Sequence, residues 1–317
     1  MEKQQYLDIL RKAFFLTWEN KFLWFFGFLI MLGSVSSSWD LNDKGSVGEN
    51  ETVQMLTTFA QNHVGLVATL GTTFFFIAIA LFLLRIVATV AIIKSANDIN
   101  LYKQMSVVAI LKEARQYLWK LLALEMLIGI TLLITFLLLA TPVIYLFTLK
   151  AKTLAFLALF LALAITIPLL ILSFYLNKYA SFYIVLVNGK IRMALEAAYE
   201  IFAKNIKMSL VMGLVMIVTC LIMLIAVLFL GLMLAIVCLP IGFGAYLLFA
   251  KTGIVVLGIV VAVIFAATCT VVFSWYAAFL QTVWLMFFQQ IAMMKNNEKK
   301  IQEEIEIEGE IPNPEIV

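Results

Sequence analysis

The sequence predicts an all-α polytopic membrane protein of six transmembrane helices, arranged as three repeats of an amphipathic interfacial helix followed by a transmembrane hairpin. Three observations carry this. Of 317 residues, 64% are hydrophobic and 13% charged, where an average soluble domain has about 45–50% apolar and about 25% charged residues. Apolar runs such as Leu121 to Leu149 and Leu210 to Leu239 exceed the ~20 residues that cross a bilayer. A stretch of mixed, helically periodic sequence also recurs ahead of every second run. With a mean hydropathy of +1.06, a soluble fold could not hide this much apolar surface.

Reading the runs in order gives spans at Phe22 to Ser38, Gly65 to Ile93, Leu121 to Leu149, Leu154 to Leu176, Ser209 to Leu239 and Ile254 to Met286. Each can cross at ~1.5 Å per residue. The longer ones call for tilt, kinks at Pro142 and Pro168, or extensions beyond the bilayer. The periodic stretch before Phe22 favours a retained first span over a cleaved signal peptide.

Charge sets the orientation. For six spans with the N-terminus inside, seventeen of the 22 Lys and Arg residues fall on the cytoplasmic side: Lys3 to Lys21, Lys94 to Lys120, Lys178 to Lys207, and the tail from Lys295. Only Lys44, Lys150, Lys152 and Lys251 fall outside, and Arg85 lies within a span. The positive-inside rule then places both termini in the cytoplasm, in the plasma (inner) membrane.

The three amphipathic stretches align as ILRKAFFLTWENK from Ile9, ILKEARQYLWKLL from Ile110 and ALEAAYEIFAKNI from Ala194. Ala13, Ala114 and Ala198 coincide. Trp18 matches Trp119, with Ala203 in the third copy, and Asn20 matches Asn205. This recurrence favours an internal repeat, at about 5–98, 105–188 and 190–294 within one domain over 1–294. Leu7, Leu10, Phe14 and Trp18 mark an apolar face of the kind that lies on a membrane surface. Trp18, Trp24 and Trp119 read as interfacial anchors. Residues 295–317 form an acidic tail holding seven of the nineteen acidic residues, expected to be disordered and cytoplasmic. It is also where a protein partner could dock.

The opening LRKAFFLTWENKFLWFFGFLI, and the later NKYASFYIVLVNGKIRMALEAAYEIFAKN in which a span passes through a polar turn into an amphipathic helix, are similar to one bacterial group. This is the group of multi-pass proteins containing the membrane domain of glycerophosphoryl diester phosphodiesterases and the YciC-like proteins. The resemblance covers most of residues 6 to 290 and implies a six-helix bundle of uncharacterised function. It lends no activity, because the membrane part consumes the chain.

Few residues suggest chemistry. Arg85, in LFLLRIVATVAII, is the sharpest anomaly, since a charge at a span centre costs at least ~2.5 kcal/mol. Glu125, five residues into the third span, is its candidate partner in an intramembrane ion pair. Snorkelling to lipid phosphate, or a substrate or proton site, are the other readings. Lys178 with Asn177 is read as the inner end of span four. His63 is the only histidine and reads as a surface residue, which argues against histidine metal clusters and Ser-His-Asp chemistry. Cys220, Cys238 and Cys269 lie in apolar runs without CxxC spacing, so they read as small hydrophobes. Gly27, Gly33, Gly65, Gly71, Gly129, Gly213 and Gly231 read as close-packing positions. The Trp39 to Gln61 loop reads as solvated. No catalytic, cofactor or metal residues are assigned.

The expectation is a non-enzymatic membrane protein that organises other membrane components, with membrane lipids and, through the tail, a second membrane or cytoplasmic protein as partners and no nucleic acid. A transporter of a lipid or small solute is the alternative, to be distinguished by a polar cavity around Arg85, Glu125 and Thr131.

Overall fold

The computed structural model describes residues 3–35, 64–100 and 107–309. His63, the Trp39 to Gln61 loop, the end of the first expected span beyond Val35 and the tail from residue 310 lie outside them. Among the described residues every element is an α-helix: α1 (Lys3–Glu19), α2 (Phe22–Val35), α3 (Val64–Asn100), α4 (Val107–Thr148), α5 (Lys152–Val187), α6 (Ile191–Lys204) and α7 (Ile206–Gly309). The backbone of α7 thus stays helical through the first part of the acidic tail.

Among the described residues five helical stretches are long and apolar enough to cross a membrane: α3, α4, α5 and the two arms of α7, Ile206–Gly244 and Val255–Met293. A sixth is counted only if α1 and α2, which meet at 101°, are taken as one bent span. With 14 residues, α2 alone reaches about 21 Å, short of the ~30 Å hydrocarbon core. The arms of α7 must fold back on each other. The Thr219 and Tyr276 hydroxyls are 3.4 Å apart, although 57 residues of straight helix would separate them by about 85 Å.

Two of the amphipathic stretches break from the helix that follows, and both breaks carry asparagine. Asn20 Nδ2 donates to the Leu16 carbonyl at 2.8 Å, and Asn205 Nδ2 donates to the Ile201 carbonyl at 3.0 Å. Each side chain adds a second donor to a carbonyl at the end of a helix, which also accepts the backbone N–H of the same asparagine, at 3.3 Å for Leu16 and 3.2 Å for Ile201. The matching residue of the middle copy is Leu121, which is buried. An apolar side chain offers no such donor, and α4 continues straight through as one 42-residue helix.

Packing is concentrated at one end. Fully buried residues include Leu23 and Phe26 of α2, Ala88 and Val90 to Ile93 of α3, Tyr179, Ala180, Phe182 and Ile184 of α5, and Ala278, Val283, Leu285 and Phe287 of α7. Ala13, Ala114 and Ala198 are each 0% exposed, so the three aligned alanines all face into this core. At the other end most side chains are exposed, although hairpin partners still touch: Phe147 lies 5.8 Å from Phe156, Ala155 is buried, and a Cβ at Gly231 would sit 3.4 Å from Phe265. Residues 64–77 of α3 are exposed without interruption, which in nearly four turns covers every face of the helix. Leu127 to Leu138 of α4, Phe156 to Ile167 of α5 and Leu221 to Val237 of α7 expose one large apolar residue after another. Such surface is tolerable only against lipid or another apolar partner.

Two glycines bring α2 against its neighbours. A Cβ at Gly27 would collide with the Ser274 carbonyl of α7, and one at Gly33 with Arg85 Cβ and the Leu81 carbonyl of α3. Gly213 lies under the Tyr175 hydroxyl. Gly65, Gly71 and Gly129, by contrast, have nothing within 4 Å of such a Cβ. The close-packing expectation is corrected for these three: they fall at the exposed end.

Candidate functional site

The packed end gathers polar groups from four helices. Lys178 of α5 donates through Nζ to Gln281 Oε1 of α7 at 3.1 Å. Arg85 of α3 and Glu125 of α4 lie within Coulomb reach of Lys178 and of each other. The Arg85 stem is set by Gly33, whose lack of a side chain lets α2 close onto the Arg85 backbone. Glu125 is one residue from Leu124, fully buried on the inner side of α4. The Asn177 Oδ1 atom is buried beside this group with no hydrogen-bond partner.

The expected direct pair is not drawn into contact. Among the described residues the ion pairs within 4.0 Å are Lys94–Glu113 at 2.7 Å, Arg192–Glu196 at 2.9 Å and Lys204–Glu200 at 3.0 Å. The charged atoms of Arg85 and Glu125 are therefore more than 4.0 Å apart, with Lys178 as a second cation near the carboxylate. Two cations against one carboxylate leave the cluster with an excess positive charge. Thr131, expected to share this site, is exposed on α4 and donates to the Leu127 carbonyl of its own helix at 2.8 Å.

Other polar contacts tie helix to helix at the same end. Gln289 of α7 donates to Asn97 of α3 at 2.8 Å. Lys94 bonds to Glu113 and sits 4.9 Å from the Tyr117 ring centroid, joining α3 to α4 where residues 101–106 separate them. Lys120 of α4 donates to Asn188 Oδ1 at 2.8 Å. Asn188 ends α5 in the left-handed conformation, a role asparagine tolerates better than most residues. The Tyr175 hydroxyl donates to the Ser209 carbonyl at 2.8 Å, and the Tyr179 hydroxyl meets Ser209 Oγ at 2.8 Å. On the exposed face of α6, the hydrogen bond and charge of Glu196 hold the Arg192 guanidinium above its ordinary range.

Three tryptophans form a cluster. Trp18 stacks on Phe14 and lies 5.6 Å from Trp24 and 6.1 Å from Trp275, centroid to centroid. Trp24 Nε1 donates to the Thr17 carbonyl at 2.8 Å. Trp119 stands apart and is 75% exposed.

Hollows lie elsewhere. One of about 650 Å³ is bounded by Tyr183, Glu196, Glu200 and Met293, and one of about 570 Å³ by Gln5, Asp8, Lys12, Asn97 and Gln289. Two of about 730 Å³ flank the first arm of α7. Arg85, Glu125 and Lys178 line none of these. Among the described residues no three His, Cys, Asp or Glu side chains gather closely enough to hold a metal ion.

Sequence reasoning missed the part played by Lys178 and Gln281. The signal was present, since the apolar run resumes after Lys178 as YASFYIVLV, which puts the lysine inside a helix. No protein-family model, curated protein or solved structure matches this chain.

Proposed function

We propose that this chain is a non-enzymatic multi-pass membrane protein that organises other membrane components. Its packed end is a rigid scaffold with both termini on the cytoplasmic side, and its exposed apolar arms are the surface offered to lipids and membrane partners. The observation that carries this reading is the contrast along each helix. Several polar side chains of the packed end tie helix to helix, as in Lys178–Gln281 and Asn97–Gln289, and the arms expose large apolar side chains along most of their length.

The threefold repeat belongs to this proposal. It is supported by the burial of Ala13, Ala114 and Ala198 and by the shared hydrogen bond of Asn20 and Asn205. A scaffold of repeated hairpins presents similar apolar surfaces in several directions, which suits assembly better than enclosure of one substrate. The acidic tail is the proposed docking element for a protein partner.

The test is co-purification from the native membrane by native mass spectrometry, comparing the full chain with one ending at Lys300. The expected result is a stoichiometric protein partner that is lost with the tail. A full chain carrying no protein partner would overturn the reading. A transporter of a lipid or small solute is the second reading, favoured by the excess cation of the Arg85, Glu125 and Lys178 cluster. Flux in proteoliposomes that stops on Arg85→Met would establish it.

A further inference from the structure

We infer that the groove between α1 and the first arm of α7 binds one anionic phospholipid, with an acyl chain along Leu7, Leu10, Val211 and Val215 and the phosphate at Lys207. The groove has a volume of about 730 Å³, and these five residues together with Tyr6 and Met208 line it. This site lies apart from the Arg85 cluster, and it requires only that the α7 arm sits in a bilayer.

Its chemistry changes along its length. Lys207 is in the first turn of α7, and Val211 and Val215 follow one and two turns later on the same face, so the groove runs about 12 Å along the arm. That arm, Ile206–Gly244, is one of the stretches apolar enough to cross a membrane. Leu7 and Val211 expose 64% and 47% of their surface, leaving an apolar slot open from the side. A phospholipid has the matching order of charge and chain.

The charge at the mouth selects the head group. The neighbouring Lys204 is engaged with Glu200 at 3.0 Å, whereas Lys207 belongs to no ion pair among the described residues. It also stands at the positive end of the α7 dipole, which favours an anion there. No carboxylate lines the groove. An anionic head group therefore finds its counter-charge, and the ammonium of a zwitterionic one finds none. The second groove along this arm, lined by Phe174, Gly213, Leu214 and Trp284 among others, has the same volume and no charged residue. It serves as an internal control.

The test is native mass spectrometry of the full chain released from nanodiscs made with phosphatidylglycerol or phosphatidylcholine of identical chains. The wild type is expected to retain one phosphatidylglycerol in preference to phosphatidylcholine. Lys207→Gln should cut that preference about fivefold, the value of one lysine near an anionic surface, and Lys207→Arg should keep it. Val215→Trp, which fills the slot, should reduce retention of both lipids, whereas Leu214→Trp in the second groove should leave the preference unchanged. Equal preference in the wild type and Lys207→Gln would overturn the inference. So would undiminished retention in a folded Val215→Trp protein.

Discussion

The two ends of this molecule use the same apolar alphabet for opposite purposes. In the packed end, Leu23, Phe26, Ile92, Phe182 and Phe287 are sealed against other side chains. In the open arms, Phe76, Leu138, Phe160 and Phe243 are each at least 67% exposed. Composition does not separate the two sets. Polar punctuation does, because Arg85, Glu125, Lys178 and Gln281 belong to the packed end, and α4 and α5 carry no charged residue between Glu125 and Lys150 or between Lys152 and Lys178. A bilayer makes this possible, since lipid satisfies an exposed phenylalanine that water would punish.

The comparison is broken most forcefully by truncating one aromatic residue at each end. Phe182, 1% exposed and 5.5 Å from the Phe288 ring centroid, should cost about 3–5 kcal/mol on replacement by Ala, as large core truncations do. Phe160→Ala, at a residue 73% exposed, should change stability by no more than about 0.5 kcal/mol. Reversible unfolding of both variants in the same detergent is the measurement, and equal losses would mean that the arms are packed too.

Glycine sharpens it next. Gly27→Val drives a side chain into the Ser274 carbonyl and should cost about 1–3 kcal/mol, the usual range for overpacking. Gly71→Val meets open space and should be close to neutral or slightly stabilising, because valine is the better helix former of the two. Thermal melts of the paired variants decide between close packing and chance at each glycine.

Much of this was legible in the sequence and some was not, for a physical reason. Five apolar helices follow from run length, whereas the first expected span, Phe22 to Ser38, is a helix of only 14 residues among the described residues, and the alignment marked Ala13, Ala114 and Ala198 as equivalent without saying that all three face inward. Which side of a span meets another helix does not follow, because lipid and protein core select the same residues there. Gly33 and Gly71 look alike in sequence, yet one lies against Arg85 and the other has nothing near it. Reading Arg85 and Glu125 as an isolated pair failed to include Lys178, whose helix continues to Val187 beyond the expected end of the span at Leu176.

The charge cluster gives a smaller and more conditional effect. Arg85→Met removes one of two cations facing Glu125, and Lys178 remains within reach of the carboxylate. The loss should therefore be nearer 1 kcal/mol than the 3–5 kcal/mol of a buried pair stripped of its only partner. Combining Arg85→Met with Glu125→Leu should recover part of it, with a coupling of at least about 0.5 kcal/mol. Additive losses in a double-mutant cycle would show that the two groups do not sense each other.

The smallest expected effect tests the bends. Asn20 and Asn205 each bond the carbonyl four residues back at a break between helices, and Leu121 occupies the matching position in a helix that does not break. If the side-chain amide is what makes a break tolerable, Asn205→Leu should leave the Ile201 carbonyl without that donor and cost about 1 kcal/mol, the net value of one hydrogen bond. The reciprocal Leu121→Asn buries an amide in α4, beside the fully buried Leu124 and Ala114, and should cost about as much or more without breaking the helix. Distances between spin labels on α6 and the first arm of α7 report the angle directly. An unchanged angle with a small stability loss in Asn205→Leu would mean that tertiary packing sets the bend and asparagine only satisfies it. A straightened angle would mean that one amide determines whether an amphipathic helix breaks from its span or runs into it.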